Sequence, residues 1–122
     1  MLPTLLLVED NAIARLSLTT LLEKARYRVD TAENGQTALD YLRSRPPPAL
    51  ILLDMLLPVL DGWHFLEQLE DLKLKPRPPI IITTGMLVIG RDWAAAHGCA
   101  GLLHKPIDTV EMLREIERCL AA

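Results

Sequence analysis

Short apolar runs recur along the chain, and each is bounded by polar residues, glycine or proline. Four of them cover residues 5–8, 49–53, 79–83 and 101–104. Runs of this length are typical of strands that are buried on both sides in a parallel sheet. A fifth segment, 27–32, alternates apolar and polar residues and is predicted to be an outer strand.

Segments with a helical period lie between these runs. Apolar residues spaced three and four apart mark helices within 14–25, 38–42 and 65–72, and a shorter helix is predicted over 91–97. A last helix begins at Asp108, because Glu111 three residues later completes a capping-box pattern. Its predicted buried residues are Val110, Leu113, Ile116 and Leu120.

Strand and helix therefore alternate along the chain, with short connections. Parallel strands joined in this way need right-handed crossovers, which place helices on both faces of the sheet. The predicted fold class is α/β, a doubly wound five-stranded parallel sheet. A chain of 122 residues has the size of one ordinary domain, so residues 1–122 are predicted to form a single domain.

Composition and charge narrow the class of protein. Half of the residues are hydrophobic and 24% are charged, as in ordinary globular proteins. The net charge of −3 gives no attraction to nucleic acid, so no direct nucleic-acid binding is expected. The apolar run before Glu9 is too short for a signal peptide or a membrane span. A cytoplasmic protein without a membrane partner is expected.

Polar residues stand where the buried runs end, and they carry the candidate chemistry. They are Glu9, Asp10, Asp54, Thr84 and Lys105. In doubly wound sheets the carboxyl ends of the strands meet at one edge, where ligands bind. Three carboxylates brought together there need a cation, and oxygen ligands suit Mg²⁺. A carboxylate beside Mg²⁺ and an ammonium group can attack phosphorus, so phosphoryl transfer to Asp54 fits best.

His104 precedes this set but alternates to the other side of its strand from Lys105. We expect a half-buried structural histidine there rather than a ligand. No other histidine or cysteine falls at the strand ends, which argues against zinc chemistry.

Four sequence fragments together resemble the receiver domains of two-component response regulators, over essentially the whole chain. They are LLLVEDN at 5–11, DMLLPVLDG at 54–62, TTG at 83–85 and KP at 105–106. Each fragment is weak alone, but the set in this order and spacing is specific. The resemblance implies a receiver domain over 1–122 with the flavodoxin-like strand order 2-1-3-4-5.

The resemblance also implies roles for individual residues. Asp54 would be the phosphoacceptor, and Thr84 and Lys105 would contact the phosphoryl group. Mg²⁺ would be held by Glu9, Asp10, Asp54 and the backbone carbonyl of Met55, and the Lys105–Pro106 peptide bond would be cis. The donor would be a phosphohistidine on a sensor histidine kinase or a histidine phosphotransfer protein. Output would pass to a separate downstream protein, and the pattern leaves a homodimer open.

Some positions depart from the family. Leu102 stands where the family usually has an aromatic switch residue, and Ile107 stands where phenylalanine is common. The loop 86–90 is unusually apolar, and Leu56 and Met86 occupy the positions that flank the approach of water to the acceptor. The site is therefore expected to be intact, whereas its signal is expected to be communicated differently.

Two other functions compete with this interpretation. Aspartyl phosphatases and mutases place a second aspartate two residues after the nucleophile, where this chain has Leu56, so a turnover enzyme is not expected. A receiver-like interaction module that is not regulated by phosphorylation stays an alternative. Such modules usually lose an acidic residue, the threonine or the lysine, and none is lost here.

Overall fold

Five strands and five helices alternate in the computed structural model, which describes residues 1–122. The strands are β1 (Thr4–Val8), β2 (Arg28–Ala32), β3 (Leu50–Asp54), β4 (Ile80–Thr84) and β5 (Gly101–His104). The helices are α1 (Ala12–Lys24), α2 (Gly35–Ser44), α3 (Gly62–Leu72), α4 (Arg91–Ala96) and α5 (Thr109–Ala121).

The strands form one parallel sheet in the order β2-β1-β3-β4-β5. This confirms the predicted fold class and strand order, including the outer position of the polar strand β2. Strands β3 and β4 extend one residue further than predicted, because Asp54 pairs with Thr83 and Thr84 pairs with His104. The candidate site residues Asp54 and Thr84 are thus the last residues of their strands.

The core consists of two apolar layers separated by the sheet. Neighbouring residues of β3 point to opposite layers, so Ile51 packs towards α2, α3 and α4, and Leu52 packs towards α1 and α5. Phe65 of α3 is fully buried in the first layer, and Ile116 of α5 is fully buried in the second. Helices therefore cover both faces, as the short connections predicted.

The buried side of α5 differs from the predicted one. Its buried residues are Met112, Glu115, Ile116 and Cys119, with Leu113 and Leu120 partly buried against the same layer. Val110 is 56% exposed, so its predicted burial was wrong. Each helical residue advances the side chain by about 100°, which puts Val110 about 160° from Met112 on the helix surface.

Capped helix starts surround the carboxyl edge of the sheet. The side chains of Asn11, Asn34, Asp61 and Asp108 each accept a backbone N–H three residues on. The exception is α4, which has six residues and begins at Gly90 without a side-chain cap. This helix therefore depends on its packing, because short helices are marginal by themselves.

Gly35 lets the loop between β3 and α3 pack closely against the first turn of α2. A Cβ at this position would collide with the carbonyl oxygen of Leu60 and lie 3.0 Å from the Cβ of Leu60. The position therefore has no room for a side chain, although it is helical.

We expect Gly35→Ala to lower the free energy of unfolding by about 2 kcal/mol, because the overlap outweighs the better helix propensity of alanine. Gly90→Ala is the matched control, since a Cβ there meets nothing within 4 Å. Its effect should stay below about 1 kcal/mol. Urea unfolding of both variants measures the difference, and a stabilised Gly35→Ala would contradict the packing argument.

Candidate functional site

Three carboxylates meet at the carboxyl edge of the sheet. Glu9 and Asp10 follow β1, Asp54 ends β3, and one oxygen of each lies within 4.8 Å of the others. Glu9 and Asp54 are almost fully buried, whereas Asp10 is exposed. The cluster is therefore open to solvent on the side of Asp10, where an ion can reach it.

Lys105 bridges the two buried carboxylates. Its Nζ donates to Asp54 Oδ2 at 2.9 Å and to Glu9 Oε1 at 3.0 Å. Partial desolvation lowers the pKa of Lys105, but the hydrogen bonds to Asp54 and Glu9 outweigh it, and the pKa is raised. The side chain therefore carries a positive charge at neutral pH. The Lys105–Pro106 peptide bond is cis, as the resemblance implied.

Backbone N–H groups hold the remaining oxygens of the buried carboxylates. Asp54 Oδ1 accepts the N–H of Leu56 at 3.0 Å, and Glu9 Oε2 accepts the N–H of Asn11 at 3.1 Å. Both oxygens of each group are thus bonded, as burial requires. Their orientations are fixed by the backbone as well as by Lys105.

Arg15 of α1 supports the acidic segment, a role that was not predicted from the sequence. Its Nη1 donates to the backbone oxygens of Glu9 at 2.8 Å and Asp10 at 3.3 Å. The only sequence signal is a basic residue shortly after an acidic pair. Because the acceptors are main-chain carbonyls, no partner residue type reveals the contact.

Thr84 is buried beside the cluster but does not form a hydrogen bond with it. Its Oγ1 accepts the N–H of Met86 at 3.1 Å. The carbonyl of Met55 accepts the N–H of Gly62 at 3.1 Å, which leaves it a second lone pair. Of the predicted site residues, the structure thus brings Glu9, Asp10, Asp54 and Lys105 together, with Thr84 turned to its own loop.

The loop between β4 and α4 is neither wholly core nor wholly exposed. Ile89 is buried and Met86 packs against the core, whereas Leu87 and Val88 are 84% and 85% exposed. His104, expected to be half-buried, is exposed at the end of β5, and its Nε2 lies 2.9 Å from the carbonyl oxygen of Ile89. The loop is therefore hydrogen-bonded to two strands, to β4 through Met86 and Thr84 and to β5 through Ile89 and His104.

Trp63 of α3 and Trp93 of α4 pack against each other near the starts of their helices. Their rings meet edge to face with centroids 6.1 Å apart, and Trp93 also stacks on His97 at 3.9 Å. Both tryptophans are partly buried against the core. This contact links the short helix α4 to α3.

The donor set fits a hard divalent cation. All three side chains offer carboxylate oxygen, and with the single ammonium of Lys105 they leave two negative charges unmatched. Mg²⁺ prefers such ligands and commonly uses one or two protein carboxylates together with water.

None of the helices has the length and apolar character needed to cross a membrane.

The family model described as the response regulator receiver domain matches residues 5–117. The chain belongs to this family. It is 34% identical over 120 residues to response regulator Rre1 of Synechocystis, covering 97% of this chain and 52% of that protein. It is 32% identical over 118 residues to protein PilH of Pseudomonas aeruginosa, covering 96% and 97%. The chain thus spans about half the length of the first relative and nearly all of the second.

Solved structures agree with this assignment. The receiver domain of sensor histidine kinase PA1611 of Pseudomonas aeruginosa has a TM-score of 0.88 and 28% identity over the whole of both chains. That structure has a magnesium ion coordinated in its active-site cleft. Chemotaxis response regulator CheY4 of Vibrio cholerae shares the fold, with a TM-score of 0.86 and 24% identity over 98% of this chain and 99% of that one. The protein is a receiver domain of two-component signalling, a class whose role is to accept a phosphoryl group.

Lys105→Gln should lower the free energy of unfolding by about 2 kcal/mol at neutral pH, because it removes the cation between two buried carboxylates. This is less than for a fully buried pair, since the Lys105 side chain is 35% exposed. The raised pKa fixes the sign of the pH dependence. The stabilisation is complete at neutral pH and disappears as the pH rises through that pKa.

Lys24→Gln is the control for this measurement, because Lys24 is exposed and forms no ion pair. It should change the free energy of unfolding by less than about 0.5 kcal/mol. Urea unfolding from pH 7 into the alkaline range tests both variants. Equal effects of the two substitutions at pH 7 would mean that the bridge contributes no net stability.

Proposed function

We propose that Asp54 is the phosphoacceptor of this receiver domain and that Lys105 and Thr84 stabilise the phosphorylated state. The observation that carries the proposal is the bridge from Lys105 to Asp54 and Glu9 inside a three-carboxylate cluster. An ammonium group 2.9 Å from an acceptor oxygen is placed to neutralise charge on a phosphoryl group bonded there.

The cation site proposed for Mg²⁺ consists of Glu9, Asp10, Asp54 and the backbone carbonyl of Met55. When bound, the ion supplies positive charge that offsets the developing charge on the phosphoryl oxygens. The chain's own residues do the rest. An oxygen of Asp54 bonds to phosphorus as the phosphorus–nitrogen bond of the donor breaks, and the imidazole leaves with the electron pair of that bond.

Thr84 becomes a phosphoryl ligand if its hydroxyl turns towards Asp54, because the hydroxyl only accepts from the N–H of Met86 and its own proton is free to donate. This hydroxyl is buried at the end of β4, the strand that pairs with β3. A hydroxyl can donate to a phosphoryl oxygen, which a carboxylate cannot do. The proposed role of Thr84 therefore belongs to the phosphorylated state only.

The proposed donor is a phosphohistidine on a sensor histidine kinase or a histidine phosphotransfer protein, and the proposed downstream partner is an output protein. We further propose that residues 1–122 form one receiver domain that acts in the cytoplasm without membrane or nucleic-acid partners. Each phosphoryl transfer consumes the free acceptor, so the domain is a signalling module and not a turnover enzyme. A homodimer is compatible with this function, and analytical ultracentrifugation distinguishes it from a monomer.

An interaction module without phosphorylation is the second candidate. The exposed Leu87 and Val88 favour binding of some partner. The buried charges argue against a purely structural role for the site. Burying two carboxylates carries a desolvation penalty that two apolar residues in their place would not have. Labelling of Asp54 separates the two functions.

Acetyl phosphate with Mg²⁺ should label the wild-type protein on one residue, and excess chelator should abolish the labelling. Asp54→Asn should not be labelled, because the amide is not a nucleophile of this kind. Asp71→Asn, which changes an exposed carboxylate of α3, should be labelled as the wild type is. Intact-protein mass spectrometry measures the added phosphoryl group. Full labelling of Asp54→Asn, or labelling without a divalent cation, would contradict the assignment.

The aspartyl phosphate should be long-lived. Leu56 is 56% exposed two residues after Asp54, and it can neither hydrogen-bond nor orient an attacking water. We expect Leu56→Asn to lose phosphate about tenfold faster, which corresponds to about 1.4 kcal/mol of barrier. Leu87→Asn is the control for loss of exposed apolar surface. Decay is followed after removal of the donor, and equal rates for wild type and Leu56→Asn would refute the shielding by this side chain.

A further inference from the structure

We propose that His104 is a positioning residue that holds the β4–α4 loop in the arrangement of the unphosphorylated domain and thereby sets the cost of phosphorylation at Asp54. The second half of this proposal rests on the phosphoacceptor role of Asp54. The first half concerns the free protein alone and can be measured separately.

The hydrogen bond of His104 fixes its chemical role. Its Nε2 lies 2.9 Å from the backbone oxygen of Ile89, and a carbonyl oxygen can only accept. The imidazole must therefore carry its proton on Nε2 and donate it to the loop. This contact joins the last residue of β5 to a residue fifteen positions earlier in the chain.

The loop is a small closed unit between two anchors. The N–H of Ile89 donates to the carbonyl of Met86 at 3.2 Å, which closes the turn. The N–H of Met86 donates to Thr84 Oγ1, and His104 donates to Ile89, so one anchor lies at each end. Between them Leu87 and Val88 stand exposed without packing partners that would hold the turn.

The two anchors are neighbours in the sheet. Thr84 and His104 are register partners in the β4–β5 pair, and paired residues of parallel strands point to the same face. The Thr84 hydroxyl must move to reach a phosphoryl group on Asp54, and this movement either breaks its bond to the N–H of Met86 or draws Met86 along. In both cases the loop changes its position, and the hydrogen bond of His104 to Ile89 opposes that change.

Ile89 is buried and Met86 packs against the core, but the only side-chain hydrogen bonds to residues 86–90 come from Thr84 and His104. Leu102, on the same face of β5, is buried and has no polar side-chain atom. Helix α4 begins directly after the loop and lacks a side-chain cap. A partly exposed hydrogen bond biases an equilibrium by about threefold to tenfold, and this is the effect expected of His104.

His104→Leu removes the donor at similar size, and His104→Gln keeps an N–H donor at similar reach. Amide hydrogen exchange without any phosphoryl donor tests the tether. Exchange of the amides in 86–91 should be about threefold to tenfold faster in His104→Leu than in wild type or His104→Gln. Exchange in β3 should be equal in all three. Unchanged exchange in 86–91 of His104→Leu would overturn the tether.

Beryllofluoride with Mg²⁺, a stable mimic of the phosphoryl group, tests the coupling. Since a restraint on the unphosphorylated arrangement must oppose binding of the mimic, His104→Leu should bind beryllofluoride about threefold to tenfold more tightly than wild type. His104→Gln should match wild type. Equal affinities of His104→Leu and wild type would overturn the coupling. Absence of binding in all three proteins would overturn the phosphoacceptor role and the coupling with it, while the exchange result still decides the tether.

Discussion

The ammonium group of Lys105 joins strand ends that lie far apart in the chain. Its partners are separated from it by 96 residues at Glu9 and 51 residues at Asp54. Both carboxylates are buried, and a buried charge without a partner costs several kcal/mol. The bridge therefore forms only if β1, β3 and β5 end at the same level of the sheet. The crossover helices make this possible, because they connect the strands in parallel and bring their carboxyl ends to one edge.

The same constraint explains why some site residues at the carboxyl edge are held rigidly and others are not. Asp54 and Glu9 have every oxygen bonded by Lys105 or by a backbone N–H, so their positions are rigid. Asp10 is exposed, and the hydroxyl of Thr84 is bonded to its own loop. The rigid groups define where chemistry takes place, and the less restrained ones can respond to it.

The sequence predicted the elements and the acidic cluster because both depend on simple periodicity. Asp54 and Lys105 follow buried runs, and parallel strands must bring such residues to one edge. Val110 was misplaced because it lies about 160° from Met112 around α5, outside the side of the helix that packs on the sheet. Arg15 and His104 were missed or misjudged for another reason. Both bind main-chain carbonyls, and such acceptors exist at every residue and leave no mark in a sequence.

The contact between Trp63 and Trp93 brings both indole fluorophores of the protein to one place. These are the only two tryptophans in the chain, and their rings are 6.1 Å apart, across the boundary between α3 and α4. Tryptophan emission therefore originates from one place in the molecule instead of averaging over several. Because the stacked imidazole of His97 adjoins the same pair, the intensity and colour of that emission depend on how α4 sits against its neighbour.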